Sequence, residues 1–462
     1  MQDLTTGSLT GHLLKTTSFM LVSMIFQTLY ILVDLFWVGR LGTDAIAAVG
    51  LAGNLSFIVI AITQVLGVGA TTLVSHASGR KDQERASFLF NQSQVLSMVV
   101  ALVFLAVAML TRHQYAASQS ASEGMRIATE QYLLWFIPAM ALQFAMVAMG
   151  AALRGTGNFK PGMFVQTGTV IINMVSAPFL IFGWGPFPEM GVSGAAVATF
   201  ISIVVGVIWI SFYFIDANAY LRFHFGQWKP QPRVWWEMLK IGLPAGAEFA
   251  LMGIYMAVVY AITKPFGAAA QGGFTIGLRV VQSAFLPIVA LGFAVAPVAG
   301  QNFAARHGER VRAVFRTAAS MAAVFMLLIS VGMFFGAAAV MRIFTQDAEA
   351  IAVGVEYLRI VVVTFVPSGI TFVSSSMFQA LGNTIPPLAT STLRILIAAI
   401  PAVFLARVAG FHLTWIWYLG AVATLLQMTL NLLLLKREFG LKLGFDQTPI
   451  AQTAPVGIIT GE

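Results

Sequence analysis

From Ala45 to Gly79 the chain runs without a single Asp, Glu, Lys or Arg. That run is longer than the roughly 20 apolar residues a helix needs to cross a bilayer. It is one of twelve such stretches, at approximately residues 14–39, 46–76, 87–110, 128–150, 161–183, 191–215, 239–264, 272–303, 313–337, 351–379, 386–407 and 413–435. Most junctions carry Gly, Pro or charge, as helix ends should. Of the 462 residues only 10% are charged and 58% are hydrophobic, where a soluble domain carries about 25% charge. Such a chain cannot cover a soluble fold with polar surface, and it is too hydrophobic for disorder. None of the stretches alternates in polarity as a barrel strand would. The first is too long for a signal peptide and lacks a small-residue cleavage site. The expected class is an all-α integral membrane protein with twelve transmembrane helices. There is no Cys, which excludes disulfides and thiolate chemistry.

The basic residues set an expected orientation. With the N-terminus inside, the inside segments hold 17 of the 26 Lys and Arg, including Arg80, Lys81 and Arg85 and the group Arg306, Arg310, Arg312 and Arg316; the outside segments hold six. Both termini are therefore expected in the cytoplasm, in the plasma (bacterial inner) membrane. The net charge of +8 is a topology signal on this reading, and no nucleic acid is implicated.

The chain repeats itself. GTDAIAAVG from Gly42 recurs as GAAAQGGFT from Gly267, Glu84-Arg85 as Glu309-Arg310, GNFKP from Gly157 as GNTIP from Gly382, and AVAT from Ala196 as AVAT from Ala421. Lys15 matches Lys240, and Tyr132 matches Tyr357. Each pair is 225 residues apart, which points to duplication of six helices. The expected parts are an N-terminal lobe (1–215), a polar, basic cytoplasmic linker (216–238), a C-terminal lobe (239–440) and a cytoplasmic tail (441–462). An even number of spans per half relates the lobes by a pseudo-two-fold axis along the membrane normal, as in two-lobed secondary transporters. Such lobes enclose a central cavity that rocking can expose to either side. Nothing in the sequence signals oligomerisation, so a monomer is expected.

Charges inside the spans are costly and therefore candidates for function. Asp34 lies six residues before Arg40, about 9 Å deep at 1.5 Å per residue, with Tyr30 one turn away on the same face. A lone carboxyl group at that depth is cheaper to hold protonated than ionised, which suits a group that gains and loses a proton in a cycle. A structural pair with Arg40 is the alternative. Glu248 in the seventh span and Arg394 in the eleventh sit at similar depth, and they can be a structural ion pair or take part in coupling. At the repeat offset Asp34 becomes Val259 while Tyr30 becomes Tyr255, Asn173 becomes Ala398, Thr199 remains Thr424 and Asn54 becomes Arg279. The N-terminal half thus keeps an acid with Tyr, Asn and Thr nearby. Asn54, Glu248, Met252, Tyr255, Met256 and Arg279 are the candidate substrate-cavity residues. No HExxH, GxSxG or GxxxxGK[ST] occurs, and no two His sit in opposing spans to bind a metal, so neither an enzyme nor a resident cofactor is expected. Interior Arg279, Arg394 and Arg359 leave a lipid or lipid-linked oligosaccharide flippase open as an alternative. A passive channel would show repeated filter segments, and none is seen.

These motifs together resemble the multidrug and toxic compound extrusion (MATE) family. The resemblance spans about residues 7–440. It is carried by VDLFWVGRLG around Asp34, the GLP at Gly242–Pro244, GVSGAAVAT ending at Thr199, and the RGTGNFKP and QALGNTIP loops. It implies export of cationic or amphipathic small molecules in exchange for H⁺ or Na⁺ by alternating access. By position, Asp34 matches the family's first-helix acid, Tyr30 and Asn173 match polar neighbours in DinF-like members, and Thr199 matches a sixth-helix partner; together they would form the coupling-ion site. There are departures. Ala177 stands where DinF-like members often have a second Asp, which favours H⁺ over Na⁺. Glu248 lies four residues after Pro244, whereas NorM-like members place the acid eight after it, where this chain has Met252. The tenth-helix acid of NorM-like members is missing. Phe19 stands where the repeat places a counterpart of Pro244, so no Pro-based bend of the first helix is expected.

Overall fold

The computed structural model describes residues 1–120, 122–216, 219–408 and 410–444. Among these it is all helical. The helices are α1 (Leu9–Gly39), α2 (Thr43–Gly79), α3 (Gln83–Gln119), α4 (Glu123–Gly155), α5 (Lys160–Phe182), α6 (Val192–Ile215), α7 (Pro232–Thr263), α8 (Gly267–Ala304), α9 (Gly308–Phe344), α10 (Ala348–Val361), α11 (Phe365–Ala380), α12 (Ile385–Leu405) and α13 (Thr414–Lys442). Eleven helical runs are long and apolar enough to span a membrane. One of these, Pro232–Ala304, has 73 residues, about 110 Å if straight. It folds back at a short 3₁₀ turn, Lys264–Phe266. Tyr260 Oη lies 3.3 Å from Thr275 Oγ1, and Gln271 Nε2 donates to the Tyr260 carbonyl at 3.3 Å; residues 15 apart in one straight helix would be about 22 Å apart. The run is two crossings, α7 and α8, and the total is twelve.

The tenth span is interrupted. α10 and α11, of 14 and 16 residues, meet at a 3₁₀ turn, Val362–Thr364. Each alone would reach only about 21–24 Å, so the two make one crossing. Pro367, three residues beyond the turn, has no amide hydrogen to offer the carbonyl one turn earlier. The matching span of the first half, α4, carries Pro138 yet stays one helix of 33 residues. α1 is likewise a single helix of 31 residues, and it contains no Pro.

The residue pairs separated by 225 positions occupy matching elements. Lys160 opens α5 and Ile385 opens α12; Gly42 precedes α2 and Gly267 opens α8. Each half packs its own apolar clusters, one from Val38 to Met238 and two others built mainly from residues after Val259. Leu4 and Leu13 cross over and are fully buried in the second half. The halves meet along α2 with α7 and α8, and along α1 with α8. Glycine permits the closest approaches, because a Cβ on Gly242 would lie 2.0 Å from the Val65 carbonyl oxygen and one on Gly79 2.2 Å from that of Gln301.

The seam is tightest at the end carrying the basic clusters. There Thr72 Oγ1 donates to the Gln379 carbonyl at 3.1 Å, and His76 Nε2 to that of Ala380 at 2.7 Å. Both carbonyls belong to the last turn of α11, where intrahelical donors run out; that of Gln379 also accepts from the Gly382 amide at 2.9 Å. Gln301 Nε2 donates to the Gly155 carbonyl at 3.0 Å. The N-terminal segment straps across the same place. Its Gln2 amide donates to Thr156 of the first half, its Leu4 amide to Gln301 Oε1 of the second, and Asn302 Nδ2 donates to the Leu4 carbonyl.

The polar linker is held against α3 by side-chain hydrogen bonds. Asn91 donates from Nδ2 to the Arg222 carbonyl (2.8 Å) and Gln227 Oε1 (3.2 Å), and accepts at Oδ1 from the His224 amide (3.0 Å) and Trp228 Nε1 (2.9 Å). Gln92 does the same one residue on. It donates to the carbonyls of Gln227 and Lys229 and accepts from the Gln231 amide and Trp235 Nε1. Phe223 lies against Phe90 and Phe214, which stack at 4.3 Å.

Candidate functional site

Asp34 sits five residues before the end of α1 and is buried, with 7% of its surface exposed. Its Oδ1 has no hydrogen-bond partner. The pairing with Arg40 that the sequence allowed is absent: Arg40 is exposed and lies over the rings of Phe36 (4.6 Å) and Trp37 (5.2 Å). Aromatic faces thus draw the guanidinium away, and the carboxyl group is left without a counter-ion among the described salt bridges.

One helical turn earlier, Tyr30 enters a small polar network. Its Oη lies 3.2 Å from Thr199 Oγ1 on α6, and Asn173 Nδ2 on α5 donates to that same oxygen at 3.1 Å. Thr199 Oγ1 in turn donates to the Ala195 carbonyl at 3.1 Å. A hydroxyl has one hydrogen, so Tyr30 must donate to Thr199, and the threonine oxygen is the shared acceptor of two donors. Asn173 and Thr199 are buried, and Asn173 Oδ1 is a second acceptor without a partner. The first half therefore brings three of the four sequence candidates into one hydrogen-bonded unit. It places the fourth, Asp34, on the α1 turn that follows, leaving two unpaired buried oxygens in this region. Ala177 is buried on α5 one turn after Asn173 and adds no carboxylate. Among the described residues there is no cluster of three or more His, Asp or Glu able to hold a metal.

The second half is arranged differently. Glu248 and Arg394 are not joined by a salt bridge, contrary to the structural pair the sequence suggested. Glu248 Oε1 instead accepts from Ser391 Oγ at 2.6 Å, and Gln427 Nε2 donates to that serine at 2.9 Å. Arg394 turns the other way: its guanidinium lies over the Tyr255 ring at 5.7 Å, with Nη2 3.9 Å from Met252 Sδ. Ser391 and Arg394 lie three residues apart on α12, and the hydroxyl is the group that meets the acid while the guanidinium meets the Tyr255 ring. Ser391 and Gln427 were missed by the sequence reading; their signal was polar side chains in otherwise apolar spans, too common alone to single them out. Among the remaining candidates, Tyr255 and Met256 are half-buried, while Asn54, Met252 and Arg279 are exposed. Asn54 and Arg279 are related by the repeat, so the two halves present different polarity at equivalent places.

The MatE family model matches residues 20–179 and again 244–405. The chain belongs to the MatE family. The two matched stretches begin 224 residues apart and end 226 apart, so the MatE unit is the repeat seen in the sequence. The probable multidrug resistance protein YoeA of Bacillus subtilis is 24% identical over 403 residues, 86% of this chain and 87% of that one. An FAD transporter of Shewanella oneidensis is 23% identical over 371 residues, 80% of this chain and 82% of its own. A crystal structure of MATE in the bent conformation superposes with a TM-score of 0.90 at 22% identity, covering 96% of this chain and 98% of the other. The shared fold is thus that of MATE transporters. The lipid-flippase alternative finds no support among these similarities and is set aside.

Proposed function

We propose that this MatE protein is a secondary antiporter that exports cationic or amphipathic small molecules in exchange for H⁺, Na⁺ being the less favoured ion. On this reading it acts as a monomer in the bacterial plasma membrane with both termini cytoplasmic. Similarity to a multidrug resistance protein supports drug export. The observation that carries the coupling assignment is Asp34, a buried carboxyl group in the first half with an unpaired oxygen and no counter-ion among the described salt bridges. Inside a bilayer such a group is held far more cheaply when neutral. Taking up a proton therefore suits one conformation, and releasing it suits another in which water reaches the site. A Na⁺ ion would want several hard oxygens around it; Asp34, Asn173 and Thr199 could offer some, but the chain places Ala177 where a second carboxylate would help.

The exposed Arg279 supports an aqueous cleft. It lies 12 residues into α8, about 18 Å along the helix, and a guanidinium at that depth facing lipid would cost at least ~2.5 kcal/mol. A water-filled space between the halves removes that cost. Together with the closed basic end, this supports a cleft on the side away from the Lys and Arg clusters, which on this reading is the outward-facing stage of alternating access.

In cells or vesicles, Asp34→Asn is expected to insert and fold normally yet lose coupled efflux of ethidium, since Asn keeps the shape of the protonated acid and cannot release a proton. Undiminished efflux by that variant would sink the assignment. Transport of flavin dinucleotide with no transport of organic cations would overturn the cationic substrate class while leaving the coupling site to be judged separately.

A further inference from the structure

At the basic end of the second half, α9 and α13 enclose a groove of about 380 Å³ lined by Arg312, Phe315, Arg316, Leu432, Leu435, Lys436, Phe439 and Gly440. Three of these are cations and four are apolar. Arg312 and Arg316 stand one turn apart on α9, and Leu432, Leu435, Lys436 and Phe439 share one face of α13. Phe315 meets Phe439 edge-on at 6.0 Å and Leu435 is almost fully buried, so the floor of the groove is packed. Glu309 binds Arg312. Arg316 and Lys436 have no acidic partner among the described salt bridges, and both are exposed.

The duplication shows what is unusual here. The equivalent groove of the first half lies between α3 and α6, and the residues 225 positions earlier are Ser87, Phe90, Asn91, Val207, Ile210, Ser211, Phe214 and Ile215. That groove is filled by the linker, with Phe223 against Phe90 and Phe214 and with Asn91 holding the backbone around Arg222. In the second half the aromatic floor is retained, but Ser87, Asn91 and Ser211 are replaced by Arg312, Arg316 and Lys436. Where the first half meets neutral backbone with Ser and Asn, the second half presents three cations. The groove lies within a few turns of the start of α9 and the end of α13, where a spanning helix meets the level of lipid head groups.

We propose that this groove binds the head group of an anionic phospholipid, the phosphodiester seated between Arg312, Arg316 and Lys436 and the acyl chains running along Phe315, Leu432 and Phe439. Basic pockets between spans on the side facing the cytoplasm suit such head groups, and guanidinium forks match phosphate oxygens. The competing occupants are a free phosphate anion and the chain's own residues 445–462, which include Asp446.

The test is native mass spectrometry of the purified full chain with added phosphatidylglycerol or phosphatidylcholine. The wild type is expected to retain phosphatidylglycerol preferentially. The triple variant Arg312→Gln, Arg316→Gln, Lys436→Gln is expected to lose that preference by about 10-fold or more, given the contribution of each cation near an anionic head group. A control with the same charge removed elsewhere at the basic end (Lys160→Gln, Lys229→Gln, Arg233→Gln) is expected to keep it, as is the wild type in millimolar inorganic phosphate. Equal retention by the triple variant, equal loss in the charge control, or displacement of the lipid by inorganic phosphate would each overturn the site. A chain ending at Gly444 is expected to bind lipid as the full chain does; tighter binding after truncation would identify the tail as the occupant and refute the proposal.

Discussion

Thr199 is where the first half's polar chemistry converges. Its single oxygen accepts from Tyr30 and Asn173 while donating to Ala195. Thr199→Val has the same shape and no acceptor, so it strands two donors in a buried place, at a cost of about 1–3 kcal/mol. We expect a lower thermal midpoint and reduced coupled efflux, with Thr199→Ser restoring both; a Val variant as stable and active as the wild type would show the network to be dispensable. Asp34 was legible from the sequence because a charge deep in a span is rare and its depth can be counted from the helix end. The fate of its neighbours was less so. Whether Arg40 would pair with Asp34 or lie on Phe36, and whether Glu248 would choose Arg394 or Ser391, depends on side-chain directions over a few ångströms, which residue spacing does not fix.

Among the elements, the linker contrasts most with its sequence. A polar, basic segment of this kind reads as a solvated connection, yet Asn91 and Gln92 of α3 hold it through eight hydrogen bonds. The signal lay not in the linker but in the polar Asn91-Gln92 step at the start of an apolar span. Replacing Asn91 with Ala leaves the His224 amide and the Trp228 indole without their acceptor. Limited proteolysis is expected to cut residues 219–231 faster in that variant, with stability lower by about 1–3 kcal/mol; unchanged protection would mean that Gln92 and the Phe223 contacts suffice. The N-terminal strap is of the same kind. Asp3 sits 3.9 Å from Lys81, and hydrogen bonding by Thr5 holds its carboxyl below the usual range. A depressed carboxylate of this kind stabilises the fold above its unfolded value near pH 4 and loses that contribution only as pH falls through the lower folded value. The Asp3 contact is therefore fully formed near neutrality, and a pH response of transport in that range does not come from Asp3.

At the scale of the whole molecule, the duplication explains both what was predictable and what was not. Twelve spans and two similar halves follow from hydropathy and a constant offset, and the family match falls on the same two stretches. The break between α10 and α11 could not be read by analogy, because α4 carries its own Pro without breaking. The closed seam also depends on close backbone contact that composition does not reveal. Gly79 has no room for a Cβ against Gln301, so Gly79→Val is expected to push the halves apart at the basic end. The absence of native Cys makes this simple to test. A single cysteine introduced at Ser75 should react with a water-soluble maleimide slowly in the parent and several-fold faster with Gly79→Val; equal rates would show that the seam is not what closes this end.

On the proposed mechanism a proton at Asp34 drives export. The most direct measurement is ethidium transport in proteoliposomes under separately imposed H⁺ and Na⁺ gradients, for the wild type and Asp34→Asn. Wild-type transport is expected to be driven by the H⁺ gradient, with little or none driven by Na⁺ alone and no gradient-driven transport by the variant. Transport driven by Na⁺ alone, or H⁺-driven transport that survives Asp34→Asn, would contradict that mechanism.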